Sequence, residues 1–168
     1  RGGSKGVKNK NQNLLNGKPL MAYAIEQAND SGLFDHIVVS TDSEDIQKTA
    51  ISLGAESWFI RPEDMATDSA GKLPVINHTL EQSESYFKKY FDVIVDLDVT
   101  CPLRTSKDIV EAYKKLIEED ADNLISVCEA RKNPYFNMIE ITDNHPSLVK
   151  TQERRPVRRQ DAPVVYDM

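Results

Sequence analysis

The chain has 168 residues, with 21 Lys and Arg against 27 Asp and Glu and a formal net charge of −6. That length suits one domain with a core of its own, no apolar run approaches the roughly 20 residues that cross a bilayer, and the acidic balance argues against general nucleic-acid binding, which needs a basic face. The two cysteines, Cys101 and Cys128, have no metal-ligand spacing and read as reduced thiols of a soluble, cytoplasmic protein.

Against this acidic background the chain opens on RGGSKGVKNKN, which holds four basic side chains, three glycines and no acid. Glycines let backbone N–H groups curl into an anion-binding nest, and Arg1, Lys5, Lys8 and Lys10 add charge that suits a triphosphate. The stretch does not match a Walker A loop, and on these residues alone a solvated basic turn fits as well. A phosphate loop in an α/β domain follows a strand, which should lie just upstream of Arg1, and VVYDM at the other end stops without a polar tail. Both ends therefore read as cut from something longer.

Downstream, Leu20, Met21, Ala24, Ile25 and Ala28 share a helical face, with Pro19 suited to the first turn and Gly32 to the stop. HIVVS at 36–40 reads as a strand buried on both sides, followed by Asp42 or Ser43 as the cap of a helix carrying Ile46, Ala50 and Leu53. SWFI at 57–60 is a shorter strand, and the polar loop RPEDMATDSAGK leads to a helix that starts near Pro74 and turns Leu73, Ile76, Leu80, Phe87 and Tyr90 inward. DVIVDL at 92–97 is the next strand, Thr105 or Ser106 caps a helix with Ile109, Tyr113 and Leu116 on its face, and NLISVCEA at 123–130 is a further strand. From Asn133 the rhythm changes to short alternating runs broken by Asp143-Asn144-His145-Pro146, the mark of an antiparallel hairpin.

Alternating βα units predict a mainly parallel sheet, and in such a sheet ligands bind beyond the carboxyl ends of the strands. Four segments collect there: the opening loop, the 61–72 loop, the turn DVTCPLR and the basic stretch RRPVRRQ. Asp96 and Asp98 stand two apart, so an extended backbone turns both carboxylates to one side. Such a pair suits Mg²⁺ or sugar hydroxyls; equally, Asp98 caps a turn while Asp96 pairs with a lysine. Arg104 fits a phosphate clamp or a partner for the acids of the next helix. Arg154, Arg155, Arg158 and Arg159 suit an anionic small molecule or a subunit contact, since no aromatic interleaves them as in a nucleic-acid patch; a solvated charged edge is the plain alternative. An RNA-binding domain led by these arginines ranks last. His36, His78 and His145 are scattered and receive no role.

Taken in order and spacing, RGGSKGVKNKN, GKPLMAYAI, IVVSTDSEDI, RPEDMATDSA, TCPLRTSKDI and RRQDAPVVYDM resemble the acylneuraminate cytidylyltransferases, or CMP-sialic acid synthetases, over nearly the whole chain. The resemblance implies a Rossmann-like, three-layer α/β/α nucleotidyltransferase domain over residues 1–168, akin to the GT-A fold, with residues 131–160 as a dimerisation and sugar-binding arm. It also implies the reaction. The anomeric hydroxyl of a nine-carbon keto-acid sugar attacks the α-phosphorus of CTP, pyrophosphate leaves, and Mg²⁺ is the cofactor. By motif, Arg1, Ser4, Lys5 and Lys10 would hold the triphosphate, with Lys10 and Arg1 as the catalytic cations, and Asn11 would hold the ribose. Arg61, with the backbone of Ala70 and Gly71, would read cytosine through its O2 and N3 acceptors.

Thr100 and Arg104 belong to the TCPLR motif on the same rim. Arg159 would neutralise the sugar carboxylate, in its own subunit or its partner's, and Gln160 and Tyr166 would shape that pocket in a homodimer. Two positions depart from the family pattern: LDVTCPLR stands where LQPTSPLR is typical, putting Asp98 in place of Gln, and Lys72 stands where a serine is common. With RKNPYFN at 131–137, these departures resemble the branch that activates legionaminic-type sugars. The family's Mg²⁺-binding aspartates come from a strand beyond residue 168, so these residues alone are expected to bind nucleotide weakly and turn over poorly, with Asp98 as the one metal candidate present. A CMP-Kdo-type enzyme and a nucleotide-binding module without catalysis are the competing expectations.

Overall fold

The computed structural model describes residues 2, 3 and 6–168. The chain is mixed α/β and divides into two compact units, Arg1–Lys114 and Lys115–Met168. The sequence suggested one domain with an arm at 131–160; that stretch lies wholly within the second unit.

In the first unit, a two-residue Asn16-Gly17 turn joins β1 (Leu14–Leu15) to β2 (Lys18–Pro19) antiparallel. Both turn residues have positive φ, which is the type I′ geometry that Asn-Gly favours. Helix α1 (Leu20–Ser31) begins directly after Pro19 and stops at Gly32, whose φ of 64° is the left-handed cap that a side chain would strain. Its face of Met21, Ala22, Ala24, Ile25 and Ala28 is buried. Helix α2 (Glu44–Ser52) is capped by Ser43, whose side chain accepts from the Ile46 amide at 3.4 Å. Met21 and Ile25 from α1 meet Ile46 and Ala50 from α2 and Ala55, with Ile37, Val39, Leu53 and Val99 packed against them. Each large aliphatic buried in this way contributes about 1.5–3 kcal/mol over leaving it in water.

The expected strands at 36–40 and 57–60 lie side by side in parallel but exchange few ladder bonds. Val38 bridges Glu56, Glu56 N donates to Ile37 O at 2.7 Å, Val39 N to Glu56 O at 2.9 Å, and Arg61 N to Thr41 O at 2.8 Å. Side chains take up other backbone groups here: Ser57 Oγ donates to Val39 O at 2.7 Å, and the Gln47 amide from α2 donates to Ser57 O and Phe59 O at 3.1 and 3.0 Å. Helix α3 (Lys72–Phe87) carries Pro74 in its first turn, as expected. Its inward face is shorter than the periodicity predicts, because Leu73 and Tyr90 are 72% and 86% exposed. The helix ends at Lys88 in left-handed backbone, which carries Tyr90 out of helical phase. Phe87 instead packs under an aromatic group, stacked on His36 with ring centres 3.6 Å apart and edge-on to Trp58.

Residues 92–97 were expected to form a central strand. They are free of helix and pair with no other strand among the described residues. Helix α4 (Ser106–Glu118) starts with a reciprocal cap, Asp108 N donating to Thr105 Oγ1 at 3.3 Å while the Asp108 carboxylate accepts from Thr105 N at 2.7 Å.

In the second unit, the expected strand at 123–130 contracts to β3 (Cys128–Glu129), which pairs antiparallel with β6 (Tyr166–Asp167). The hairpin is present as β4 (Ile139–Thr142) and β5 (His145–Leu148), joined by Asp143 and Asn144 at φ 51° and 63°. The tight turn therefore uses two residues, and His145 and Pro146 belong to the returning strand. Buried Asn133 ties the unit together: its Nδ2 donates to Pro163 O at 2.8 Å, its Oδ1 accepts from Tyr135 N at 2.9 Å, and its N–H donates to Asn137 Oδ1 at 2.7 Å. Both cysteines are free and exposed. Among the described residues no helix is long and apolar enough to cross a membrane.

Candidate functional site

A cavity of about 850 Å³ occupies the first unit, with two chemically distinct parts. Its throat is apolar, running between the segments 37–39 and 93–97 past Met21, Ile25, Ile76 and Leu80. Its rim is polar. Lys10 and Asn11 come from the opening loop, Ser40 and Thr41 from the end of the 36–41 segment, Arg61 from the start of the 61–72 loop, and Asp96, Asp98 and Thr100 from the end of the 92–98 segment. The polar groups collect at one end because ψ-extended parallel segments all deliver their carboxyl ends to the same edge.

The opening loop is anchored to that edge at two places. Gly2 N donates to Asp42 Oδ1 at 2.7 Å, and Gln12 Nε2 donates to Thr49 Oγ1 on α2 at 3.2 Å. A Cβ at residue 2 would stand 3.2 Å from Ser43 Cβ, which is held in the α2 cap, so the close approach requires glycine. Arg1, Ser4 and Lys5, three of the expected phosphate ligands, lie outside the described residues.

Arg61 is oriented by one residue twice over, its Nε donating to Ser40 Oγ at 3.1 Å and its Nη2 to Ser40 O. Ala70 and Gly71 do not line the cavity; Gly71 is the residue ahead of α3, and Ala70 N donates to Thr67 O at 3.4 Å. Lys72, the first residue of α3, sends its ammonium between the paired acids, 2.5 Å from Asp96 Oδ2 and 3.0 Å from Asp98 Oδ1. The alternative in which Asp96 pairs with a lysine thus holds in this structure. Burial pulls the Lys72 ammonium down, but its hydrogen bonds to Asp96 and Asp98 outweigh this and raise its pKa above the ordinary lysine value.

Arg104 does not reach the cavity. Its Nη1 donates to Asp98 O at 3.4 Å, and its own carbonyl, like that of Pro102, accepts from the Gln27 amide of α1. Arg104 holds the turn that presents Asp98 and Thr100.

The rim tests poorly as a Mg²⁺ cage. Mg²⁺ requires near-octahedral oxygen ligation, no group of three or more metal-ligating side chains forms among the described residues, and the two acids on the rim already share an ammonium. Asp98 does not take a metal here without expelling Lys72.

In the second unit, a cavity of about 320 Å³ is lined by Arg159 and Gln160 together with Asn133 and Pro163. Arg159 Nη2 donates to Arg131 O at 2.8 Å, whereas neighbouring Arg158 is committed to Asp161 at 2.8 Å and helps hold that carboxyl below its usual range. Tyr166 lies in β6, 62% exposed.

Ser40, Thr41 and Asp42 were missed as site residues. Their signal was nevertheless in the sequence, since STD follows directly on the apolar run HIVV and must lie at a strand's carboxyl end. Asn133 carried no comparable signal, because one asparagine in a loop does not announce that it is buried.

Comparison with known proteins extends this geometry. The family profile described as cytidylyltransferase matches residues 1–167. The chain is 48% identical over 168 residues to the post-translational flagellin modification protein B of Campylobacter coli and 49% identical over 168 residues to the CMP-N,N'-diacetyllegionaminic acid synthase of Campylobacter jejuni, in both cases covering all of this chain and 71% of the relative. It is also 42% identical over 148 residues to the N-acylneuraminate cytidylyltransferase of Escherichia coli, covering 88% of this chain and 34% of that protein.

Proposed function

The chain belongs to the cytidylyltransferase family, and on that premise we propose that it transfers CMP from CTP to a nonulosonic acid of the sialic and legionaminic type, releasing pyrophosphate. The observation that carries this reading is the convergence of Lys10, Asn11, Arg61, Asp98 and Thr100, from separated segments, on one polar rim. Lys10 and the opening-loop amides take the triphosphate; Asn11 takes the ribose. Arg61, oriented by Ser40, reads cytosine through its O2 and N3 acceptors, a pattern that uracil breaks with a donor at N3. The sugar's anomeric oxygen forms the new bond to the α-phosphorus as the bond to the β-phosphate bridge breaks, and fixed cations offset the negative charge that builds there. Mg²⁺ is proposed to arrive with CTP rather than on a cage of these residues. Such an enzyme draws on the cytoplasmic CTP pool.

The finer architecture proposed is the three-layer, mainly parallel sheet. Its support is the apolar throat: two extended segments face it with aliphatic side chains, and Gly2 is fixed at its mouth by Asp42. The strand expected ahead of the opening loop would fill that space and pair with both neighbours. In the second unit, the hairpin is proposed as a dimer contact, because Ile139 and Ile141 lie two apart in β4, on one face, and are 63% and 70% exposed. Arg159 and Gln160 would take the sugar carboxylate, a group that a guanidinium matches with two prongs.

Pyrophosphate release by the full-length protein tests the reaction. Turnover should require CTP over UTP and a nine-carbon over an eight-carbon keto-acid sugar, and Lys10→Ala should lower kcat about a hundredfold. Equal use of UTP, or preference for the eight-carbon sugar, would refute the assignment.

A further inference from the structure

Lys72 and Asp98 depart from the acylneuraminate pattern at two sites 26 residues apart, yet the structure joins them in one hydrogen bond, Lys72 Nζ to Asp98 Oδ1 at 3.0 Å. The same ammonium lies 2.5 Å from Asp96 Oδ2. Stability does not account for this cluster. Side-chain exposures of 57%, 40% and 62% for Lys72, Asp96 and Asp98 place it in the class of solvated ion pairs, whose net contribution is about 0–1 kcal/mol.

Its chemistry is informative instead. Both acids line the cavity and Lys72 does not, so the ammonium stands behind the carboxylates and leaves them facing the ligand. A glutamine at position 98 would offer a donor and an acceptor, whereas an ionised aspartate only accepts. A carboxylate wall repels a triphosphate, which places the nucleotide's phosphates at the Lys10 side and leaves the Asp96 and Asp98 side for a ligand group that donates. Two uncompensated carboxylates would also repel an acid sugar. One ammonium shared between them removes half of that charge and fixes the direction of Asp98, whose backbone carbonyl is held separately by Arg104.

Resting on the cytidylyltransferase reading above, we propose that Lys72 is a specificity-determining positioning residue: it holds Asp98 as an acceptor-only wall that selects acceptor sugars presenting a hydroxyl or amide N–H donor at that point. The two departures from the pattern then form one exchanged unit, Lys with Asp in place of Ser with Gln.

The test is steady-state kinetics of the full-length enzyme and its Lys72→Ser, Asp98→Gln, double and Lys72→Arg variants, with a 5,7-diamido legionaminic-type sugar and N-acetylneuraminate as alternative acceptors. Each single change should raise KM for the diamido sugar about tenfold and leave KM for CTP within about twofold, because only the acceptor wall is altered. The double variant should lose much less than the product of the two single losses, since the second change removes a group the first has already stranded, and its preference should move toward N-acetylneuraminate. Lys72→Arg should restore most of the sugar KM, which a merely structural role would not require. Multiplicative losses in the double variant, equal changes in KM for CTP, or an unchanged sugar preference would overturn the proposal while leaving the reaction assignment intact. A wild-type enzyme that releases pyrophosphate with neither sugar would overturn both.

Discussion

Replacing Asp42 with alanine removes the carboxylate that accepts from Gly2 N at 2.7 Å and fixes the start of the opening loop against α2. A hydrogen bond to a charged acceptor is worth about 1.5–3 kcal/mol, and because Asp42 is only half-buried the lower end applies. If the loop must be held in place to take a triphosphate, about 1.5 kcal/mol becomes a loss of roughly tenfold in CTP affinity. Titration calorimetry of CTP into the full-length protein measures it, with Asp42→Asn as the discriminating partner, since asparagine keeps an acceptor oxygen and discards the charge. Asp42→Asn should bind nearly as the wild type does. A second perturbation acts on the same joint: Gly2→Ala places a methyl 3.2 Å from Ser43 Cβ, and a tight contact against a capped helix costs about 1 kcal/mol, or fivefold in affinity. Tighter CTP binding by Asp42→Ala would show that its charge repels the nucleotide more than its hydrogen bond organises the loop, and the reasoning would fail.

Asp108 has its carboxyl held below the usual range by the Thr105 backbone hydrogen bond and then by the Thr105 hydroxyl. A folded-state value below the unfolded one means that this stabilisation is complete above about pH 4 and disappears as pH falls through the lower, folded value. Urea midpoints for wild type and Asp108→Ala should therefore differ at pH 6 and converge toward pH 2.5; a difference that ignores pH would refute the cap. On the hairpin, exchanging both Ile139 and Ile141 for glutamate should turn a dimer into a monomer in light scattering while the thermal midpoint stays within a few degrees, because both side chains already face solvent in the isolated chain. A dimer that survives the double change would remove the hairpin from the interface.

Much of the molecule follows from local rules that need no tertiary partner. Helices α1, α2 and α4 begin and end where Pro19, Gly32, Ser43 and the Thr105–Asp108 pair dictate, since caps act through backbone groups within one turn. Asp143-Asn144 likewise makes its turn from its own φ preferences. The family, and with it the reaction, was legible because several spaced motifs had to agree at once. Strand pairing was less so: 92–97 carries the composition of a buried strand but has no partner segment among the described residues, and composition is blind to whether a partner is there.

Sequence alone determined the chemistry available at the site: cations and glycines in the opening loop, a guanidinium at 61, twin acids at 96 and 98, and two departures from a known pattern. Only the tertiary structure decided which of these face one another. It turned Arg104 away from the cavity to support a turn, brought Ser40 under Arg61, and closed the 26-residue gap between Lys72 and Asp98 into a single hydrogen bond. The physical reason is distance: capping and turn energies reach three or four residues along the chain, whereas charge pairing acts through space, between residues whose separation along the chain gives no hint of it.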